Sequence, residues 1–171
     1  MICPDCGHDN ISGDEVCADC GMPLVDVQPL GNEVERSISS HRVEVLCPHE
    51  PEYVQATTPA REVVRHMGKL RIGCVMVQDA GKFVGIFTER DLLNKILPDL
   101  SRLDRPVRDF MTAEPETVTK SDSIGYCVQA MALGGYRHLP VVEPTTGAPT
   151  GILSVRDLLR FLCVRFAKSR V

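Results

Sequence analysis

From Glu50 onward the chain says nearly the same thing twice, and this duplication limits its possible folds more than any other feature. Glu50-Pro51-Glu52 returns as Glu114-Pro115-Glu116, 64 residues later, and Met67 returns as Met131 at the same offset. Val77 matches Val142 at an offset of 65, and Gly85-Ile86-Phe87-Thr88-Glu89-Arg90-Asp91 matches Gly151-Ile152-Leu153-Ser154-Val155-Arg156-Asp157 at 66. An offset that grows by single residues is what two small loop insertions leave in a duplicated unit. Such a unit offers two quasi-equivalent clefts at a shared interface, a geometry suited to ligand binding before catalysis.

Each copy spells strand, helix, strand, strand, helix. In the first, Tyr53-Val54 reads as a short strand, and Thr58 and Pro59 as the N-cap and first position of a helix carrying Val63, Val64 and Met67 inward. Cys74–Val77 is a buried strand, Asp79-Ala80-Gly81-Lys82 a hairpin turn, and Phe83–Phe87 the returning strand. Thr88 then caps a helix whose Leu92, Leu93, Ile96 and Leu97 stop at Pro98. In the second copy Val118 lies in the first strand, and Asp122 caps a helix of Ile124, Cys127, Val128 and Met131. Leu139–Val142 and Gly151–Leu153 are its paired strands, and Ser154 opens a last helix with Leu158, Leu159, Leu162, Val164 and Phe166. Neither copy has strands enough to cover its own apolar face, so the two are expected to pack as one pseudo-symmetric α+β module.

Composition places the chain among soluble globular proteins: 171 residues, 43% hydrophobic and 25% charged. No apolar run approaches the roughly 18 residues that a membrane span needs. The start, Met1-Ile2-Cys3-Pro4-Asp5-Cys6, lacks the basic flank and apolar stretch of a secretory signal. The expectation is a cytoplasmic protein with no membrane partner, in which closely spaced thiols serve as metal ligands rather than disulfides.

Cys3-Pro4-Asp5-Cys6-Gly7 and Cys17-Ala18-Asp19-Cys20-Gly21 are two Cys-x-x-Cys knuckles. Two intervening residues let one tight turn aim both sulfurs at one ion, and the following glycine tolerates the positive φ that closes the turn. Asn10, Gly13 and Asp14 supply turn chemistry between the knuckles. Four thiolates match structural zinc, a closed site with no position left for water. His8 sits inside the turn and is a poor substitute ligand. A head whose apolar residues are Ile2, Ile11, Val16, Met22, Leu24 and Val25 cannot fold by burial alone, so bound Zn2+ must supply folding free energy. A redox dithiol is disfavoured, because it would stand at a strand-to-helix junction that so short a head cannot build. Cys74, Cys127 and Cys163 read as core thiols, and Cys47, beside Pro48 and His49, has no assigned role.

The head is similar to the short zinc ribbons found at the ends of many prokaryotic proteins. Some of these touch nucleic acid, but residues 1–26 here hold six acids and no Lys or Arg. Nucleic-acid affinity is dominated by cationic contacts, so a protein contact, or docking on the chain's own module, is the better expectation. The net charge of −4 hides this split: residues 1–50 carry −8 and residues 51–171 carry +4.

Val107-Arg108-Asp109-Phe110-Met111-Thr112, Tyr136-Arg137-His138-Leu139-Pro140-Val141-Val142 and the paired Gly-Ile-x-[Thr/Ser]-x-Arg-Asp segments together resemble a tandem CBS-domain pair, the Bateman module. The expected organisation is a zinc ribbon over 1–25, a linker over 26–42 with a short strand beginning at Val43–Leu46, and CBS repeats over 43–98 and 99–171. The resemblance implies adenine nucleotides (AMP-, ADP- or ATP-like) in clefts between the repeats. It makes Thr88, Asp91, Ser154 and Asp157 the ribose residues, and Val54, Val118 and Ile152 neighbours of the base. Arg137 and His138 stand where the family often places cations for phosphate, and the first copy has Ile72-Gly73 there. One stronger anionic site and one weaker site are therefore expected, in a module that by resemblance forms a homodimer and meets a protein partner. A hydroxyl and an acid three residues apart also stabilise a helix start without any ligand, and that role stays open for both pairs.

The sequence carries no phosphate-cradling glycine loop with lysine, no nucleophile elbow and no His-Glu-x-x-His, so an enzyme is not expected. An interaction scaffold with vestigial clefts is the second reading, and a nucleic-acid-binding protein the third.

Overall fold

In the computed structural model the strands form where apolar residues run together between turn formers. The structure describes residues 2–3, 5–11, 14, 16–22, 24 and 38–168, with side chains to 164. Gly13, Val25, most of the 26–42 linker and the side chain of Phe166 lie outside that set. Strands β1 (Tyr53–Gln55), β2 (Cys74–Asp79), β3 (Lys82–Thr88) and β4 (Thr112–Ala113) make a four-stranded sheet in that order. β1 runs parallel to β2, with Val54 opposite Val77, whereas β2–β3 and β3–β4 are antiparallel. The β2–β3 turn is built from Ala80 and Gly81, both with positive φ (46° and 77°), as a tight hairpin requires.

Helix α1 (Ala60–Leu70) lays Ala60, Val63 and Met67 on this sheet. Together with Val75, Val77, Phe87, Ile96, Val107 and Phe110 they form one buried cluster. The cap differs from expectation: Pro59 is the N-cap and no side chain closes the helix start. Thr58 is drawn into a different pairing, its carbonyl accepting from the Val107 N–H at 2.8 Å. After β3, helix α2 (Glu89–Asp91) widens into a π-helical turn over Leu92–Ile96, closed by Leu97 N–H to the Leu92 carbonyl at 3.0 Å.

The second copy supplies α3 (Ile124–Gly134), the hairpin β5 (His138–Val142) and β6 (Pro149–Ser154), and α4 (Val155–Lys168). Ser123, not Asp122, caps α3, accepting from the Tyr126 N–H at 3.0 Å. Asp122 instead closes the preceding turn, taking the Thr119 N–H at 2.6 Å. Val118 is a buried single-bridge residue rather than part of a full strand. Val43–Leu46 is a 3-10 turn and not a strand, because the Val43 and Glu44 N–H groups pair with the Asp122 and Lys120 carbonyls. Cys74 and Cys127 are buried and burial raises both thiols to about 12, but Cys163 is exposed on α4.

The lead-in segments change places between the copies. Ala113, which leads into the second copy, pairs with Gly85 of the first hairpin. His49, its equivalent at an offset of 64, pairs with Ile152 of the second hairpin, N–H to carbonyl in both directions at 3.2 and 2.9 Å. The first hairpin thus gains a strand from the other repeat, and the second a single bridge. Two compact units result: Met1–Pro48 with Val118–Leu139 and Leu153–Val171, and His49–Thr117 with Pro140–Ile152. Among the described residues no helix is long and apolar enough to cross a membrane.

Gly85 makes the β3–β4 pairing possible, since a Cβ there would stand 2.6 Å from the Thr112 carbonyl oxygen and 2.9 Å from Met111 Sδ. Gly85→Ala is expected to cost about 1–3 kcal/mol through overpacking against backbone. Gly68→Ala, inside α1 with nothing within 4 Å of the added methyl, should instead stabilise by roughly 0.5–1 kcal/mol. Urea denaturation of the two variants reads both signs.

Candidate functional site

The cysteine head places its four sulfurs as the spacing requires. Gly7 and Gly21 follow their knuckles with φ of 77° and 74°. The two turns match bond for bond: Gly7 N–H to Cys3 carbonyl at 3.0 Å, and Gly21 N–H to Cys17 carbonyl at 2.9 Å. Asn10, buried, fastens one turn to the other by donating to the His8 carbonyl at 3.0 Å and accepting from the Ala18 N–H at 2.9 Å. The Cys3–Cys20 and Cys6–Cys17 sulfurs are each 3.6 Å apart, and all four lie within 4.8 Å of one another. Metal–sulfur bonds of about 2.3 Å in a tetrahedron give edges of about 3.8 Å, so the cluster fits one metal ion.

The thiols differ electrostatically. Desolvation raises Cys17, but the N–H groups of Cys20 and Asp19 and the Asn10 amide outweigh it and bring this thiol down to about 6. Lost hydration and the neighbouring sulfurs of Cys6 and Cys3 hold Cys20 up at about 12. A shared cation would stabilise all four as thiolates at once. His8 is exposed and not one of the four grouped ligands.

The two hydroxyl–carboxylate pairs sit at equivalent strand-to-helix junctions, one in each compact unit. In the first, Asp91 Oδ2 accepts from the Thr88 N–H at 2.9 Å and from Thr88 Oγ1 at 2.7 Å. The Asp91 N–H returns a bond to Thr88 Oγ1 at 3.3 Å, which completes a capping box. The other oxygen is engaged as well: Oδ1 meets Lys95 Nζ at 2.7 Å and accepts from Thr112 Oγ1 at 3.4 Å. Lys95 further donates to the Phe110 and Met111 carbonyls at 2.8 and 3.4 Å. The first pair is therefore built into a helix cap and a lysine latch, with Asp91 only 6% exposed.

In the second pair, Asp157 Oδ2 accepts from the Ser154 N–H at 2.8 Å and from Ser154 Oγ at 2.6 Å. The position equivalent to Lys95 is Phe161, so no ammonium reaches Asp157 from there. Arg137 is exposed just before β5, and its carbonyl accepts from the Val155 N–H at 3.0 Å, at the start of α4. The same bond in the first copy runs from Glu89 N–H to the Gly73 carbonyl. Gly73 is therefore the structural partner of Arg137, one place later than alignment on Val77 and Val142 puts it, and the cation is missing from the first copy either way. His138 is half-buried at the head of β5.

Of the proposed base neighbours, Val118 is buried in the unit that holds Asp157. Val54 and Ile152 are half-buried in the other. Both main-chain groups of Ile152 are given to His49, which leaves its side chain as the part able to meet a ligand. Sequence reading missed Lys95 and Thr112. Lys95 was detectable as a cation four residues after Asp91, in ion-pairing distance on a helix. Thr112 was not, since only the exchanged lead-in brings it there.

Strand–helix junctions duplicated in this way define a tandem repeat module. A family model for the CBS domain matches residues 43–98 and again 107–164, and the chain belongs to the CBS-domain family with two domains in tandem. It is 32% identical over 110 residues to an uncharacterized 17.7 kDa protein of Acidianus ambivalens, covering 64% of this chain and 65% of that one. An uncharacterized protein of Methanopyrus kandleri is 32% identical over 106 residues, covering 61% and 54%. The matches thus span less than two thirds of these relatives' lengths. Among solved structures, an uncharacterized conserved protein of Pyrococcus horikoshii superposes with a TM-score of 0.65 at 28% identity, covering 71% of this chain and 91% of that one. A CBS-domain protein of Pyrobaculum aerophilum in complex with AMP does so with a TM-score of 0.63 at 28% identity, covering 74% and 98%.

The Lys95 latch has a measurable worth. Lys95→Met should destabilise the protein by about 1–3 kcal/mol, the range for a hydrogen bond to a charged, buried partner. In a double-mutant cycle with Asp91→Asn, a coupling energy of about 1 kcal/mol or more is expected. Additive losses would show that the two groups act separately.

Proposed function

We propose that the chain is a regulatory sensor of adenine nucleotides, with its principal site at Ser154 and Asp157 and a structural zinc ion on Cys3, Cys6, Cys17 and Cys20. The observation that carries this reading is the inequality of the two junctions. Asp91 is held by Lys95 and Thr112, whereas in the second copy the lysine is replaced by Phe161, and the exposed Arg137 precedes β5 with its backbone carbonyl on the first N–H of α4. A ribose needs a carboxylate that can accept from both vicinal hydroxyls, and Asp157 with Ser154 Oγ provides that chemistry. The Arg137 guanidinium would favour the nucleotide phosphate, with His138 next to it in the chain. The AMP complex of the Pyrobaculum aerophilum protein supports this ligand class.

CBS-domain pairs are regulatory rather than catalytic modules, and no step of chemistry is assigned to these residues. Nucleotide binding would act by stabilising one state over another. At a hundredfold excess over Kd that stabilisation is roughly 2.7 kcal/mol, enough to redirect docking of a partner protein. Zinc is the metal that four thiolates at these separations suit best, and a reducing compartment keeps the thiols available for it. A homodimer is supported by apolar side chains left in water at equivalent positions, Leu93 (58% exposed) and Leu159 (55%), with Leu97 and Val164 beside them.

Calorimetry with AMP on site variants tests the reading. Asp157→Asn and Arg137→Ala should each weaken binding by about tenfold or more, near 1.4 kcal/mol, while Asp91→Asn changes the affinity by less than about threefold. Equal losses at Asp91 and Asp157, or an unaffected Arg137→Ala, would remove the proposed inequality. Metal analysis of the purified protein should find zinc at a one-to-one ratio in the wild type and lose it in Cys6→Ser.

A further inference from the structure

The thiol cluster and the Ser154–Asp157 junction belong to the same compact unit, and a continuous set of contacts joins them. Met22 and Leu24 of the ribbon are buried and, with Cys3 and Cys17, pack on Tyr126 of α3. Arg42 Nη1 donates to the carbonyl of Asp5 at 3.0 Å, and Asp5 lies between the ligands Cys3 and Cys6. Arg42 also bridges to Ser123, the residue that caps α3. The neighbouring His41 carbonyl accepts from the Ile124 N–H at 2.9 Å, in the first turn of α3. The His41 ring stands edge-on to Phe161 with centroids 5.5 Å apart. Phe161 lies one helical turn beyond Asp157 on α4.

We propose that metal occupancy of the four-cysteine cluster sets the nucleotide affinity of the Ser154–Asp157 junction, acting through Arg42, His41 and Phe161. This rests on the reading of that junction as the nucleotide site. The physical reason lies in the ribbon's weak core: Ile2, Ile11 and Val16 are 70%, 78% and 52% exposed, so metal ligation rather than burial holds its turns. Without the ion, the Asp5 carbonyl and the Met22–Leu24 patch lose their fixed positions. The Arg42 guanidinium then loses its acceptor on Asp5 and Tyr126 loses its packing on Met22 and Leu24, and the start of α3 and the His41–Phe161 contact loosen together. A ligand that needs Asp157 and the start of α4 in one arrangement must then supply that ordering itself. Arg42 and His41 are positioning residues in this scheme. Linkage makes the effect mutual: a bound nucleotide tightens the metal by the same factor.

The experiment is an AMP titration by calorimetry on the zinc-loaded full chain and on the same chain stripped by a chelator. Stripping should weaken AMP by about 5- to 30-fold, within the range of ordinary coupling between sites. Arg42→Ala keeps all four cysteines; it should retain zinc and bring the loaded-to-stripped ratio close to one. Equal AMP affinity with and without zinc in the wild type overturns the proposal. If neither form binds AMP, the nucleotide reading fails, and amide hydrogen exchange decides the linkage separately. Zinc removal should speed exchange over residues 124–131 and 155–161 while α1, in the other unit, stays protected. Unchanged exchange over those residues, or equal loosening of α1, overturns the linkage.

Discussion

A buried carboxylate at each strand-to-helix junction is the constraint around which this protein is arranged. Asp91 and Asp157 are 6% and 8% exposed, and a charge so far from water must be met by donors or a cation. Both are partly satisfied by a hydroxyl and an N–H three residues earlier. What completes the arrangement differs between the copies. A lysine on the next turn of the helix makes Asp91 a structural corner that also pins the Phe110–Met111 backbone. At the Asp157 junction phenylalanine takes the place of that lysine, and the backbone carbonyl of Arg137 meets the first N–H of the helix.

The exchange of lead-ins ties the two copies of the duplicated sequence together. Each hairpin borrows backbone pairing from the other repeat, so neither repeat is complete alone. Gly85 is the steric condition for this on one side, because any side chain would strike the Thr112 carbonyl. Backbone pairing keeps the two copies alike, and side chains off that ladder are at liberty to diverge. Lys95 and Phe161, or Gly73 and Arg137, are substitutions of this kind.

Much of this was legible in the sequence, for reasons that can be named. The duplicated Gly-Ile-x-[Thr/Ser]-x-Arg-Asp pattern located β3, β6 and both junctions, since an apolar run ending in a helix cap leaves a strong local mark. The cysteine spacing located the four-sulfur cluster, because the turn that aims two sulfurs needs its glycine. Errors fell where tertiary contacts override local preference. Val43–Leu46 looks like a strand but is pulled into a 3-10 turn by the Asp122 and Lys120 carbonyls. Asp122 and Ser123 are both good caps, and only the geometry of the preceding turn assigns the role to Ser123. Cys163 looks like a core thiol by composition, yet its side of α4 is exposed. The Thr112–Asp91 contact spans 21 residues and leaves no local trace.

Native mass spectrometry of the zinc-loaded chain titrated with AMP tests the central claim, two junctions of unequal capacity, most directly. Zinc should be retained throughout, with one AMP per chain filling first and a second appearing only at concentrations about tenfold higher or more. Two AMP molecules binding with equal affinity, or none at any concentration, would contradict it.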